Sequence, residues 1–154
     1  MKFKPVLIVA GEPNSIFLEI LFKTMLLKKI KSPLILIGSN KLLDLQMIKL
    51  KFKKKIRLLD VKKLNIYKLN NKSINLIDIH YNTNVAFDKI SHRSKEYIKK
   101  SFDVAFKIIS SGISDKMING PISKKNFLDK KFLGITEYIC SAFSKKKYAM
   151  LIFN

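Results

Sequence analysis

Val6-Leu7-Ile8-Val9-Ala10-Gly11-Glu12-Pro13-Asn14-Ser15-Ile16-Phe17-Leu18-Glu19-Ile20 is the stretch on which the fold turns. Val6–Val9 is a short apolar run with β-branched residues, the pattern of a strand covered on both faces. Gly11, Glu12, Pro13 and Asn14 punctuate it as a turn. Asn14 or Ser15 can cap a helix running through about Lys29. A buried strand passing through a tight turn into a helix is the opening unit of a parallel α/β sheet.

The chain beyond repeats that alternation. Pro33 introduces a second apolar strand, Leu34–Ile37, ending at Gly38-Ser39-Asn40. A helix is predicted over Lys41–Leu50 and a third strand over Ile56–Leu59. Strand, helix, strand, helix, strand predicts a parallel sheet with right-handed crossovers. Lys62–Lys72, rich in lysine and asparagine, reads as a surface excursion. Ile74–Ile79 reads as a strand and the stretch to Asp88 as an irregular connection. The clearest helix is Ser91–Ser111, where Ile98, Phe102, Ala105, Phe106 and Ile109 form one apolar stripe. Ser91 or Ser94 can cap its start, and Gly112 fits a left-handed stop. Lys116–Ile118 is a short strand ending at Asn119-Gly120-Pro121, Thr136–Ser144 is helical, and Tyr148–Phe153 is a further strand. The expectation is one largely parallel sheet with Val6–Val9, Leu34–Ile37, Lys116–Ile118 and Tyr148–Phe153 all buried. The long helix is expected to pack on it through Phe102, Phe106 and Ile109.

Composition bounds the function classes. With 154 residues, 47% of them hydrophobic, the chain can build one domain with a real core. The formal charge of +20 points first to nucleic acid. Yet 29 of the basic residues are lysine and only Arg57 and Arg93 are arginine, the residue that makes bidentate phosphate and base contacts. Lysine, isoleucine and asparagine share AT-rich codons, so compositional drift accounts for the charge, and a nucleic-acid partner is not expected. Cys140 is the only cysteine and reads as a small buried hydrophobe; no internal disulfide is possible. Lys2 and Lys4 precede the apolar Pro5–Ala10, but Glu12, Pro13 and Asn14 stop that run and no small-residue cleavage site follows. Glu19, Lys23 and Thr24 interrupt Ile16–Leu27, which is too short and too polar to span a bilayer. A cytoplasmic protein with no membrane partner is expected.

Two segments resemble one enzyme family, the 4-hydroxythreonine-4-phosphate dehydrogenases. The opening strand and turn are similar to a strand running into Gly-Asp/Glu-Pro-Ala-Gly-Ile-Gly-Pro-Glu: Gly11, Glu12, Pro13, Ile16 and Glu19 match, whereas Asn14, Ser15, Phe17 and Leu18 do not. Asn119-Gly120-Pro121-Ile122-Ser123-Lys124 resembles Thr-Gly-Pro-Ile-Asn-Lys, and Leu133-Gly134-Ile135-Thr136-Glu137-Tyr138 resembles Thr-Gly-His-Thr-Glu-Phe. Tyr148–Phe153 resembles the strand that follows.

The resemblance implies a three-layer α/β/α fold with a mostly parallel sheet, like that of the isocitrate and isopropylmalate dehydrogenases. It implies NAD- or NADP-dependent oxidation of 4-phosphohydroxy-L-threonine followed by decarboxylation, in pyridoxal phosphate synthesis, by a homodimer. A divalent metal held by histidines acts there as Lewis acid. Residues 1–154 correspond to the N-terminal α/β portion of such an enzyme, with the C-terminal half absent. The resemblance assigns Thr136 and Lys124 to substrate binding, and Gly11, Glu12, Pro13, Gly120 and Pro121 to turns beside the cleft. Each has a plainer reading: Thr136 as a helix cap, Lys124 as one solvated lysine among many, the glycines and prolines as structural turns. Ile135 stands where the family has a substrate-binding histidine, and isoleucine offers neither hydrogen bond nor charge. Ser15 and Phe17 replace glycines that keep a turn open to a ligand.

The family's metal-binding histidines match nothing here. His80 and His92 lack a carboxylate cluster and make a poor metal site. No Gly-x-Gly-x-x-Gly fingerprint is present. Neither a catalytic residue nor a metal ligand is therefore assigned. The competing expectations are a degenerate relative without dehydrogenase activity and, third, a basic binding module for nucleic acid or anionic surfaces.

Overall fold

The short apolar runs pair as one sheet. In the computed structural model, which describes residues 3–27, 29–128, 131–144 and 148–151, the strands are β1 (Val6–Val9), β2 (Leu34–Gly38), β3 (Ile56–Leu58), β4 (Ile74–Asp78) and β5 (Lys116–Asn119). Their order is β3-β4-β2-β1-β5 and every pairing is parallel. Val6 lies opposite Leu34 on one side and Lys116 on the other. β1 and β2 are central and buried almost throughout, which is why they read as continuous apolar runs instead of alternating ones.

Helices cover both faces, giving three layers. On one side lie α1 (Phe17–Leu27) and α2 (Asn40–Lys49), packed on Ile8, Leu34, Leu36, Ile74 and Leu76, with Phe22 stacked on Phe52 at 4.4 Å between centroids. The Ser39 hydroxyl caps α2 by accepting from the Leu42 N–H at 3.3 Å. On the other side α3 (Lys95–Ser110) packs on the face formed by Leu7, Val9, Ile35, Ile37 and Ile77, and α4 (Ile135–Ala142) lies against α3 through Tyr138, which meets Phe102 and Phe106. The predicted α/β class and parallel sheet therefore hold.

Several details differ from the sequence reading. The long helix begins at Lys95; His92–Ser94 form a separate 3-10 turn, capped by Ser91. Phe102 and Phe106 are buried as expected, but Ile109 is only half-buried and Ile108 takes the inward position. Gly112 does end the helix, at φ +75°. β5 is an edge strand with Lys116 and Ile118 exposed, not a buried one. The excursion after β3 is not wholly at the surface: Val61–Ile66 is a 3-10 turn, and Leu64 and Leu69 enter the core. Cys140 is half-buried, not enclosed. Tyr148–Leu151 is exposed and belongs to no strand, while Ile152 and Phe153 lie outside the described residues. Lys124–Leu128 form a single π turn that no sequence signal announced.

Candidate functional site at the strand carboxyl ends

In a parallel sheet, crevices open where neighbouring strands send their following segments to opposite faces. β1 leads into α1 on one face, whereas its neighbour β5 leads toward Phe127, Leu128 and α4 on the other. The turns Gly11–Asn14 and Gly120–Lys124 therefore meet at one switch point. Contact between them is close. The Glu12 N–H donates to the Pro121 carbonyl at 2.8 Å, and the Gly120 N–H donates to Val9 O at 2.8 Å.

Both glycines are demanded by that contact. Gly11 sits at φ +74°, and a Cβ on it would lie 2.5 Å from Pro121 O. A Cβ on Gly120 would overlap the Ala10 carbonyl and meet the Phe17 ring. The open side of each glycine is thus filled by this chain's own backbone and by Phe17, one of the side chains standing where the family motif has glycine. The turn is closed to a ligand at that point.

Glu12 lies beneath, at 2% exposure. Its Oε2 is 3.0 Å from the Ser94 hydroxyl, whose single proton is shared with Ser91 O at 2.9 Å. Burial pushes the Glu12 carboxyl above the usual carboxylate range, and the Ser94 hydroxyl and the Asn14 backbone N–H oppose that shift. Tyr81 and Tyr97 are also raised, chiefly by burial. Glu12 therefore joins three elements: the turn after β1, the turn after β5 and the start of α3.

A second crevice, between β2 and β4, is crossed by the connection from Ile79 to Ser91. Asn14 holds this strap: its side chain accepts from the Asp88 N–H at 3.2 Å and lies 3.4 Å from Lys89 O as donor. Gln46, fully buried on α2, donates to both Pro13 O (3.0 Å) and Ala86 O (2.8 Å). The Asn40 N–H donates to Asp78 Oδ1 at 2.7 Å and Lys41 Nζ to Asn84 Oδ1 at 2.7 Å. Gln46 and Tyr97 escaped the sequence reading because a polar residue inside an apolar helix pattern looks like a surface residue. Ser94 was read only as a cap; its hydroxyl serves Glu12 instead and makes no cap bond to α3.

Of the remaining predicted site residues, Gly11, Glu12, Pro13, Gly120 and Pro121 come together as described. Lys124 is exposed and opens the π turn that packs Phe127 into the core. Thr136 is the second residue of α4. Gly134, not Thr136, is the N-cap, so the capping alternative for Thr136 falls. No hydrogen bond links Thr136 to either turn among the described residues. Ile135 packs against the apolar cluster beneath α4. His80 and His92 are exposed, and no three His, Cys, Asp or Glu side chains gather among the described residues. That donor set does not suit a divalent metal.

Fold and site together define a parallel α/β protein with a turn-built crevice at its first switch point. The sequence pattern of the family described as pyridoxal phosphate biosynthetic protein PdxA matches residues 29–154, so the chain belongs to that family. The turn after β1 precedes the matched residues. No curated protein sequence matches. Among solved structures, the chain is similar to a 4-hydroxythreonine-4-phosphate dehydrogenase from Burkholderia phymatum, with TM-score 0.81 and 18% identity over 94% of this chain and 45% of that one. It is likewise similar to the Klebsiella pneumoniae 4-hydroxythreonine-4-phosphate dehydrogenase, with TM-score 0.77 and 16% identity over 92% of this chain and 45% of that one. The chain thus spans less than half the length of these relatives, and at such identities the likeness concerns the fold.

Proposed function

We propose that this chain is the N-terminal α/β portion of a 4-hydroxythreonine-4-phosphate dehydrogenase, carrying part of the surface that receives the phosphorylated substrate. The observation that carries the reading is the family match over residues 29–154, ending beyond the Gly120–Lys124 turn and α4. In this reading the Lys124 ammonium meets the substrate phosphate as a point charge and the Thr136 hydroxyl donates to an anionic oxygen. NAD or NADP would accept the hydride in the complete enzyme. The closed Gly11 turn offers no cradle for its phosphates. The metal, the second wall of the cleft and a homodimeric partner surface belong, in this reading, to polypeptide that this chain does not supply, in a cytoplasmic enzyme.

A second reading is a degenerate relative without dehydrogenase activity. Ile135 packed on apolar neighbours, in place of a histidine, favours it. Calorimetric titration of the chain with 4-phosphohydroxy-L-threonine separates the two. Saturable binding weakened about tenfold by Lys124→Gln and by Thr136→Val supports the first. No binding, or binding indifferent to both changes, supports the second.

A further inference from the structure

Charge is not spread evenly along this chain. Residues 20–59 carry eleven basic side chains and one acidic, Asp44; the other 114 residues carry twenty basic and ten acidic. Codon drift alone loads every exposed surface alike, so the concentration needs another account.

Topology gathers most of it at one end, Lys41 at the start of α2 lying at the other. α1 and α2 each start at the carboxyl end of a strand and run back along it, so both finish at the amino end of the sheet. β3 starts there too. Phe22 on α1 stacks on Phe52, and Met25, Lys29 and Lys54 line one shallow depression, which confirms that these ends adjoin. Beside it Met47 and Phe52 floor a broader depression whose rim includes Ile48, Lys51, Lys53, Lys54 and Lys55. None of Lys29, Lys31, Lys49, Lys51, Lys53, Lys54 and Lys55 forms an ion pair with a described residue. Three long aliphatic side chains protrude at the same end: Leu26 at 73% exposure, Leu27 at 78% and Ile48 at 77%.

We propose that this end of the molecule is a peripheral docking surface for anionic phospholipid bilayers, with the lysines at the headgroups and Leu26, Leu27 and Ile48 entering the interface. Unpaired lysines around protruding aliphatics are what such a surface needs. A nucleic-acid face would need arginine forks and open aromatic rings. Here Phe52 is buried, and Arg57 is engaged with Lys68 O at 3.0 Å and the Tyr67 ring. The surface lies at the opposite end of the sheet from the Gly11 and Gly120 turns, so docking leaves them free. It also revises the expectation of no membrane partner without requiring a spanning segment; no helix among the described residues is long and apolar enough to cross a membrane.

The test is cosedimentation of the chain with phosphatidylcholine vesicles, with and without about 30 mol % phosphatidylglycerol. Binding is expected only to the anionic vesicles and is lost near about 0.5 M salt, where the screening length has fallen to about 4 Å. Lys53→Gln/Lys54→Gln/Lys55→Gln weakens it at least about tenfold. Lys100→Gln/Lys107→Gln/Lys116→Gln, matched in charge but placed elsewhere, changes it less than about twofold. Leu26→Ser/Leu27→Ser/Ile48→Ser weakens it about fivefold, with circular dichroism confirming the fold of each variant. Absence of binding to anionic vesicles overturns the proposal, as does equal loss in the matched control. An aliphatic variant that binds like the parent overturns it too, in favour of a surface for any polyanion.

Discussion

At the scale of single residues, Gly11 and Glu12 show how a motif can be kept for packing. Gly11 and Gly112 share nearly the same positive φ, but only Gly11 has backbone pressed against its open side. Alanine at Gly112 incurs the left-handed strain alone, about 1 kcal/mol, whereas alanine at Gly11 adds an overlap with Pro121 O and costs about 3 kcal/mol or more. Urea midpoints of the two variants measure the difference; equal losses would mean that the two turns are looser than described. Glu12 makes a prediction in pH. Its folded pKa is raised, so between the usual glutamate value and that raised value the native state binds more protons than the unfolded chain. Stability contributed through this group therefore increases as pH falls through that window and is least above it. Glu12→Gln removes the titration, so the difference in melting temperature between parent and variant should be largest above the window and shrink on acidification. A difference independent of pH shows that burial of this carboxyl does not control its charge. Of this site the sequence revealed Gly11, Glu12, Pro13, Gly120 and Pro121. It did not reveal Ser94 or Gln46, because their partners are distant in sequence, |i−j| being 82 for Ser94 to Glu12.

At the scale of elements, legibility followed burial. β1 and β2 are covered on both faces, so their apolar runs carried the information. β5, Lys-Met-Ile-Asn, carries only two apolar residues between polar ends, in keeping with its place at the sheet edge, whereas a reading as a buried strand rests on Met117 and Ile118 alone. The α3 stripe gave the correct period and a small error of phase. The helix is wedged between the sheet and an aromatic cluster, with Phe102 5.9 Å from Phe127 and 5.5 Å from Tyr138, and so buries a wider arc than a helix on a sheet alone. That arc takes in Ile108 and leaves Ile109 at its margin. Phe102, at 0% exposure, joins α3, the π turn and α4. Phe102→Ala is expected to cost about 3–5 kcal/mol, and Ile109→Ala about 1 kcal/mol. Chemical denaturation that ranks Ile109 above Phe102 would place the helix in a different rotation. The π turn was invisible because its one-residue insertion leaves no compositional trace.

At the scale of the whole molecule, one side of the domain is bare. α1 is apolar around most of its circumference, yet Ile20 on it and Ile16 just before it are exposed, and Ile118 on the neighbouring β5 edge is 52% exposed. Ile20, Phe17, Ile8, Val6 and Ile118 line a common groove beside that edge. A helix apolar on both sides is ordinarily covered on both, and the relatives of the same fold are more than twice as long as the part matched here. Catalysis by dehydrogenation needs a closed site, because water must be kept from the reacting centre and the charge developing on oxygen must meet fixed partners. On the function proposed above, the described residues supply one wall of it. Ile135 stands where the resemblance places a histidine, the Gly11 turn is filled by the Gly120–Pro121 backbone, and no donor cluster for a metal forms among the described residues. The 154-residue polypeptide assayed by itself with 4-phosphohydroxy-L-threonine, NAD or NADP and a divalent metal should therefore show no reduction of cofactor above a protein-free control. Substituting Ile135→His should not restore it, since one side chain cannot supply the second wall. Reduced cofactor accumulating in proportion to protein, followed by absorbance, would show that this half-site closes by itself, and would move the catalytic groups into residues 1–154.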